Sequence, residues 1–267
     1  MTLAVCATPI GNLDDVTLRV LAELREVDLV LAEDTRHTRG LLQRHGIEAK
    51  LLSYHEHNEA SRVAEVLPRI VAGERIALVS DAGLPGISDP GARLVRAALD
   101  AGVAVTVLPG ASAVETALVA SGLVSERYAF VGFLPRRAAE LASLWEELAG
   151  WRWPVVAFES PQRLGASLRS LASLTPERDV VVCRELTKKF EEVVRGSASS
   201  LAERYAEPPK GEITIVLGPA GSAPPGEEAG AAAVAELVAA GTPRKVAVEV
   251  VSRLTDVSRN DLYRGSL

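Results

Sequence analysis

The chain has 267 residues, which is long enough for two domains, and it carries a formal net charge of −6 at pH 7. Its apolar fraction of 48% and charged fraction of 24% are typical of a globular protein, and the acidic balance argues against a protein-wide field that attracts nucleic acid. The two cysteines lack metal-ligand spacing, no apolar run reaches roughly 18 residues and no signal peptide is recognisable, so we expect a cytoplasmic protein without membrane association or a metal site.

Strand-like and helix-like patterns alternate from the start of the chain. Apolar strand patterns occupy 3–8, 28–33, 50–55, 75–80, 103–109 and 128–135. Apolar residues at helical spacing occupy 14–27, 34–46, 59–73, 90–102 and 110–122. Because the strands lack polar alternation, we expect them to be buried on both faces, in a mostly parallel sheet that helices cover.

The pattern changes near residues 135–154, where an amphipathic helix ends in two tryptophans. Further strand patterns occupy 154–159, 178–186, 191–196 and 212–218, and helical patterns occupy 160–174 and 199–207. We place a domain boundary near 120–135 and predict four units. They are an N-terminal α/β domain (1–125), a second α/β domain (126–218), a flexible linker (219–230) and a small helical tail (231–267).

Three loops of small residues follow strands, at 8–15, 78–91 and 109–113. Ligands of open α/β sheets bind at the carboxyl ends of strands, so these loops are expected to form one cleft. None contains lysine or arginine, which leaves the phosphates of ATP or NAD without a side-chain counter-charge. Asp81 and Asp89 would instead attract an ammonium group or ribose hydroxyls, although Asp89 also fits the N-cap of the following helix. A ligand such as S-adenosylmethionine, with an amino acid head, a ribose and a flat base, fits this cleft.

Eight segments of the chain together resemble one family. In chain order they are ATPIGNLDDVTLR, AEDTR, LLSYHEHNE, VSDAGLPGISDPG, LPGASA, FESPQR, CRELTKKFEE and GEITIVLG. Over residues 4–217 they closely resemble the bacterial ribosomal RNA small subunit methyltransferase I family, in the tetrapyrrole-methylase superfamily. Leu84 and Gly86 depart from the family pattern, where threonine and a larger apolar residue are common.

The resemblance implies a two-domain α/β fold of the tetrapyrrole-methylase type (class III methyltransferase), with a small helical C-terminal extension. It implies 2′-O-methylation of a cytidine in small-subunit (16S) ribosomal RNA, with S-adenosylmethionine as the methyl donor bound between the domains. The expected partners are ribosomal RNA or the small ribosomal subunit, and a second copy of the chain in a homodimer.

The same resemblance implies a set of donor-binding residues. They are Ile10, Gly11, Asp81, Gly83, Ser112, Ala113 and Phe158. Small residues let the backbone approach a ligand, and a phenylalanine ring can pack on adenine. For Phe158 a position in the ordinary core remains an equal alternative.

The candidate acid-base residues lie at the end of the strand 28–33. Glu33 and Asp34 follow this strand, and only one of them can face the methyl acceptor because successive side chains point to opposite faces. We predict these two carboxylates as the catalytic pair, with Arg36 positioning a phosphate, while Asp34 alternatively fits a helix N-cap. His55 and Glu59 are the next candidates.

Six basic residues are the predicted RNA contacts. They are Arg163, Arg184, Lys188, Lys189, Arg244 and Lys245. Basic side chains contact phosphates, although each of these residues alternatively fits a solvated or salt-bridged position. Residues 243–267 have a net charge of +2, which favours an RNA-facing helical module but equally fits dimerisation or packing.

Three rival functions remain to be weighed against this prediction. A methylase of a small tetrapyrrole would need no basic tail. An NAD- or nucleotide-dependent enzyme is disfavoured by the missing glycine fingerprint and lysine. A non-enzymatic RNA-binding module is disfavoured by the acidic balance of the chain.

Overall fold

The computed structural model describes residues 2–220, 227–255 and 257–266 and contains two sheets of five strands. The first sheet contains β1 (Thr2–Cys6), β2 (Leu29–Ala32), β3 (Leu51–Ser53), β4 (Ile76–Val79) and β5 (Ala104–Leu108). The second contains β6 (Ala129–Phe133), β7 (Val155–Glu159), β8 (Asp179–Arg184), β9 (Glu192–Ser197) and β10 (Ile213–Leu217). The helices are α1 (Leu18–Glu26), α2 (Thr35–Arg44), α3 (Glu59–Val71), α4 (Ala92–Asp100), α5 (Ala113–Ser121), α6 (Ala138–Leu148), α7 (Pro161–Leu174), α8 (Ala198–Arg204), α9 (Glu227–Ala239), α10 (Arg244–Thr255) and α11 (Arg259–Gly265).

The first sheet is parallel throughout, with the strand order β3-β2-β4-β1-β5. Every residue of β2 and β4 is buried, because apolar clusters cover both faces of the sheet. The loops after β1, β2, β4 and β5 therefore leave the sheet at its carboxyl edge, as the sequence predicts.

The second sheet differs from the first in its strand directions, which the sequence did not predict. Its order is β6-β7-β10-β8-β9, and only β6 and β7 pair in parallel, whereas β10 runs antiparallel to both of its neighbours. β8 and β9 also pair antiparallel, joined by the short loop 185–191. A loop of this length cannot make the crossover that parallel strands need, so this half of the chain is a mixed sheet.

Helix α5 connects the two sheets. Val114, Ala117 and Leu118 of α5 pack with Val156, Val216 and other buried residues of the second sheet. The predicted division at residue 125 assigns α5 to the N-terminal domain. In the structure, however, the apolar face of α5 covers the second sheet. The division into domains at this point stays a prediction.

The C-terminal helices α9 to α11 pack around a small core of their own, which includes Val234, Val251 and Leu262. Of the predicted linker 219–230, residues 221–226 lie outside the described residues, and α9 already begins at Glu227. Within the part of the chain that the structure describes, no helix combines the length and apolar composition that a bilayer crossing requires.

Candidate functional site

A cavity of 710 Å³ lies between the carboxyl edge of the first sheet and the second sheet. The loops after β1, β2, β4 and β5 contribute Ile10, Glu33, Asp81 and Ser112 to its wall. Strands β6, β7 and β10 contribute the opposite wall, which includes Phe158. The cleft that the sequence predicted at this sheet edge is therefore present, and both halves of the chain form it.

The loops after β1 and β4 are pinned to each other beside the cavity. The Thr8 N–H donates to the Gly83 carbonyl at 2.8 Å, and the Gly83 N–H donates to the Thr8 carbonyl at 3.0 Å. The Thr8 hydroxyl donates to the Ser80 carbonyl at 3.0 Å. Gly83 has φ of 74°, a conformation that favours glycine, and a Cβ there would lie 3.7 Å from the Ala111 carbonyl of the next loop.

The wall of the cavity is acidic. Among the described residues, those that line it include six carboxylates and no lysine, arginine or histidine. The six are Glu33, Asp81, Asp89, Glu115, Glu159 and Glu212. Glu159 and Glu212 pair with Arg163 and Lys188, whereas Glu33, Asp81 and Asp89 have no salt bridge to any described residue. A negative site without a built-in cation favours a positively charged ligand.

Burial, together with the charge of the neighbouring carboxylates, raises the pKa of two of these three groups. Burial, followed by the charge of Asp81, raises the pKa of Glu33 above its ordinary value. Burial, with the charges of Glu33 and Asp81, raises the pKa of Asp89 to about 7, against a lowering effect of a Ser80 hydrogen bond. No group of three metal-ligand side chains converges on one position within the described residues.

Asp34 and Arg36 lie outside the cavity wall. Asp34 is the N-cap of α2: its side chain accepts from the Arg36 N–H at 2.8 Å and from the Arg36 guanidinium at 2.7 Å. The Arg36 side chain holds the pKa of Asp34 well below its ordinary range and is itself 86% exposed. Asp81 accepts from the Asp34 N–H at 2.9 Å. Of the predicted catalytic residues, the structure brings only Glu33 into the cavity.

Six of the seven predicted donor-binding residues line the cavity. They are Ile10, Asp81, Gly83, Ser112, Ala113 and Phe158. Gly11 does not, because it faces the loop 185–191, where a Cβ would lie 2.7 Å from the Leu186 carbonyl and 2.5 Å from the Lys188 Cγ. Its small size serves the packing of two loops.

One feature of the cavity was missed in the sequence, and one alternative considered there, Asp89 as a helix N-cap, is wrong. Phe130 and Phe133 of β6 flank Phe158, with ring centroids 4.9 Å and 5.4 Å from it, and all three line the cavity. Asp89 is not the N-cap of α4, since Gly91 holds that position with φ of 140°. The aromatic pair in FVGF was visible in the sequence, but only the pairing of β6 with β7 brings it beside Phe158.

Three of the predicted RNA contacts form salt bridges within the protein. Arg163 donates to the buried Glu159 carboxylate and, at 2.7 Å, to the Leu134 carbonyl. Arg184 pairs with Glu192 at 2.9 Å.

Lys188 is the third, with Glu185 and Glu212 each at 2.9 Å from its ammonium group. Lys189, Arg244 and Lys245 form no salt bridge to any residue that the structure describes, and Lys189 and Lys245 are exposed.

The fallback candidates His55 and Glu59 also lie outside the cavity wall. Glu59 accepts from the Tyr54 hydroxyl at 2.9 Å and from the Gly91 N–H at 3.0 Å. These bonds connect β3, α3 and the start of α4, which is a structural role.

The chain is similar to known proteins along most of its length. A family model described as Tetrapyrrole (Corrin/Porphyrin) Methylases matches residues 2–202. A ribosomal RNA small subunit methyltransferase I of Streptococcus pyogenes serotype M1 is 40% identical over 271 positions, covering 98% of this chain and 93% of that protein. A protein of the same name from Synechocystis sp. is 42% identical over 272 positions, covering 99% and 97%.

Solved structures share the fold. A uroporphyrin-III C-methyltransferase from Thermus thermophilus, complexed with S-adenosylhomocysteine, matches with a TM-score of 0.59 and 18% identity, covering 81% of this chain and 96% of that one. At this identity the likeness shows the fold alone.

Proposed function

This chain belongs to the tetrapyrrole (corrin/porphyrin) methylase family and, within it, to the ribosomal RNA small subunit methyltransferases I, and from this we propose that it methylates a cytidine 2′-hydroxyl in 16S ribosomal RNA with S-adenosylmethionine as donor. The observation that carries the choice of donor is the acidic wall of the cavity, whose described residues include no lysine, arginine or histidine.

The described wall of the cavity fits this donor in charge and shape. S-adenosylmethionine supplies, when bound, a methyl group on a positively charged sulfur and also carries an ammonium group. Glu33, Asp81 and Asp89 attract these positive charges, whereas the phosphates of ATP or NAD would be repelled. Phe130, Phe133 and Phe158 offer apolar ring surface for a flat base.

Glu33 is the residue proposed to accept the proton of the ribose hydroxyl. It lines the cavity, and its raised pKa brings it closer to the working pH at which a general base is effective. The hydroxyl proton would pass to the Glu33 carboxylate as the ribose oxygen bonds to the methyl carbon and the bond from that carbon to the donor sulfur breaks, leaving a neutral thioether. Holding the hydroxyl in line with the methyl group supplies most of the remaining rate.

The proposal extends to partners and location. Of the six predicted RNA contacts, Lys189, Arg244 and Lys245 form no salt bridge to a described residue and are proposed to contact RNA phosphates. A homodimer is supported by exposed apolar residues at the edge strand β5 and on α5, where Val107 is 50% and Val119 is 68% exposed. We propose a cytoplasmic location because ribosomal RNA is the proposed substrate.

The test is methyl transfer from isotope-labelled S-adenosylmethionine to small ribosomal subunits from cells that lack the gene. We expect one labelled cytidine whose 3′ linkage resists alkali, because a 2′-O-methyl group blocks cleavage there. Label on a base, or none on RNA while a small tetrapyrrole is methylated, contradicts the proposal. Stabilisation against heat by S-adenosylhomocysteine, but not by NAD or ATP, tests the donor separately.

A further inference from the structure

Backbone strain marks two loops beside the cavity. In the described part of the chain, three residues other than glycine have positive φ: Ser88 at 60°, Glu185 at 53° and Thr187 at 64°. The last two lie in the loop 185–191 between β8 and β9. Such conformations persist only where the surroundings enforce them, and they cluster at functional sites.

The loop 185–191 is held firmly at its base. The Asn12 N–H donates to the Thr187 hydroxyl at 2.9 Å, which ties the loop to the segment after β1. The Lys188 ammonium group donates to Glu185 and Glu212, each at 2.9 Å. The loop is therefore a rigid support that contacts both halves of the chain. The Lys188 ammonium group is already paired within this support.

The tip of this loop displays an aromatic ring and a cation. Phe190 is 67% exposed, and the Lys189 ammonium group lies 5.6 Å from the centre of its ring. Leu186, in the same loop, lines the cavity, and Lys188 pairs with the cavity-lining Glu212, so the loop that displays the exposed pair borders the cavity. The chain has four phenylalanines, and the other three all line the cavity.

An exposed ring beside an ammonium group that pairs with no described carboxylate complements the base and phosphate of a nucleotide in single-stranded RNA. A base can stack on the ring of Phe190, and the neighbouring phosphate can contact Lys189. The paired residues Lys188 and Arg184 cannot offer the same charge without losing their carboxylate partners.

We propose that Phe190 and Lys189 hold a nucleotide next to the methylated one, by stacking and phosphate contact, at the rim of the cavity. This inference rests on the proposed function and specifies how the RNA is held. The rigid loop would set the distance between the stacked base and Glu33, so that only the ribose of the neighbouring nucleotide enters the cavity.

The test compares the affinity of full-length variants for small ribosomal subunits that lack the ribose methylation. We expect Phe190→Ala to weaken binding about ten-fold and Phe190→Trp to stay within about two-fold of the unsubstituted protein, since stacking needs only an aromatic face. Lys189→Ala should make the salt dependence of binding shallower, by about one unit of slope. Leu174→Ala, which truncates a residue 45% exposed at the end of α7, is the matched control. It should change neither the affinity for subunits nor the salt dependence of binding.

Affinity for S-adenosylhomocysteine, measured by calorimetry, must stay unchanged in Phe190→Ala. The inference is overturned if this variant binds subunits within about two-fold of the unsubstituted protein. It is also overturned if donor and subunit affinity fall together, because the loop would then only support the cavity. Failure of the unsubstituted protein to methylate RNA would instead contradict the proposed function, since subunit binding is measured without turnover.

Discussion

At the scale of single residues, Glu33 and Asp34 are adjacent in sequence but differ in role. Glu33 lines the cavity, while Asp34 caps α2 and pairs with Arg36. Removing a general base costs about 10²- to 10⁴-fold in turnover. We therefore expect Glu33→Gln to lose turnover on that scale, while its affinity for S-adenosylhomocysteine, whose sulfur carries no charge, falls far less. Single-turnover kinetics and calorimetry measure the two quantities separately.

Asp34→Ala is the control for this experiment. It should lower the free energy of unfolding, as expected for a lost N-cap, with turnover per folded molecule retained. Wild-type turnover in Glu33→Gln would show that another group, or water, accepts the proton.

Asp89 makes stability depend on pH. Its pKa of about 7 in the folded protein exceeds the ~3.9 of an unfolded aspartate. Between these values the folded state keeps a proton that the unfolded state has released, so the stabilisation is complete below pH ~4 and is lost as the pH rises through ~7. Asp89→Asn cannot ionise and should raise the free energy of unfolding by roughly 1–2 kcal/mol at pH 8, allowing for solvent screening, but hardly at pH 4.

Thermal unfolding of both proteins from pH 4 to pH 8, without donor, measures this difference. An equal shift of the melting temperature at every pH would mean that Asp89 ionises normally and that the substitution acts through packing.

At the scale of elements, the helices α9 to α11 form a separate packing unit. A protein that ends after Ala220 keeps two hydrogen bonds beside the second sheet. The Arg178 guanidinium donates to the Gly218 carbonyl, and the Ala220 N–H donates to the Trp151 carbonyl. We expect this truncated protein to bind S-adenosylhomocysteine normally and small subunits more weakly, because phosphate contacts are lost.

The double variant Arg244→Ala/Lys245→Ala in the full chain separates charge from packing. It should reproduce the shallower salt dependence of subunit binding that the truncation causes. A steep, unchanged dependence in both proteins would assign the three helices to dimerisation or packing.

At the scale of the whole molecule, α5 joins the two sheets by one face and exposes Val119 on another. If a second copy covers that face, Val119→Asp should shift the protein from dimer to monomer in sedimentation equilibrium while leaving the far-ultraviolet circular dichroism unchanged. Leu18→Asp is a matched control, because Leu18 is 85% exposed on α1. A dimer that persists in Val119→Asp would place the interface elsewhere.

Periodicity in the sequence predicted most of the elements, since it depends on which face of each segment is apolar. The loops after β1, β4 and β5 were assigned to one cleft by the rule that ligands bind where parallel strands end, and the structure places them there. No strand direction was predicted for the second sheet, because apolar runs such as those of β8 and β10 look alike in either orientation.

The sequence by itself determined the family, the two α/β halves and the acidic character of the cleft, because these depend on residue type and order along the chain. Only the tertiary structure decided that Glu33 rather than Asp34 faces the cavity, that Asp89 joins it, and that Arg163 and Lys188 are already paired. The reason is that charge partners and burial are set by residues distant in sequence. A basic side chain is available for RNA only where the fold has brought no carboxylate against it.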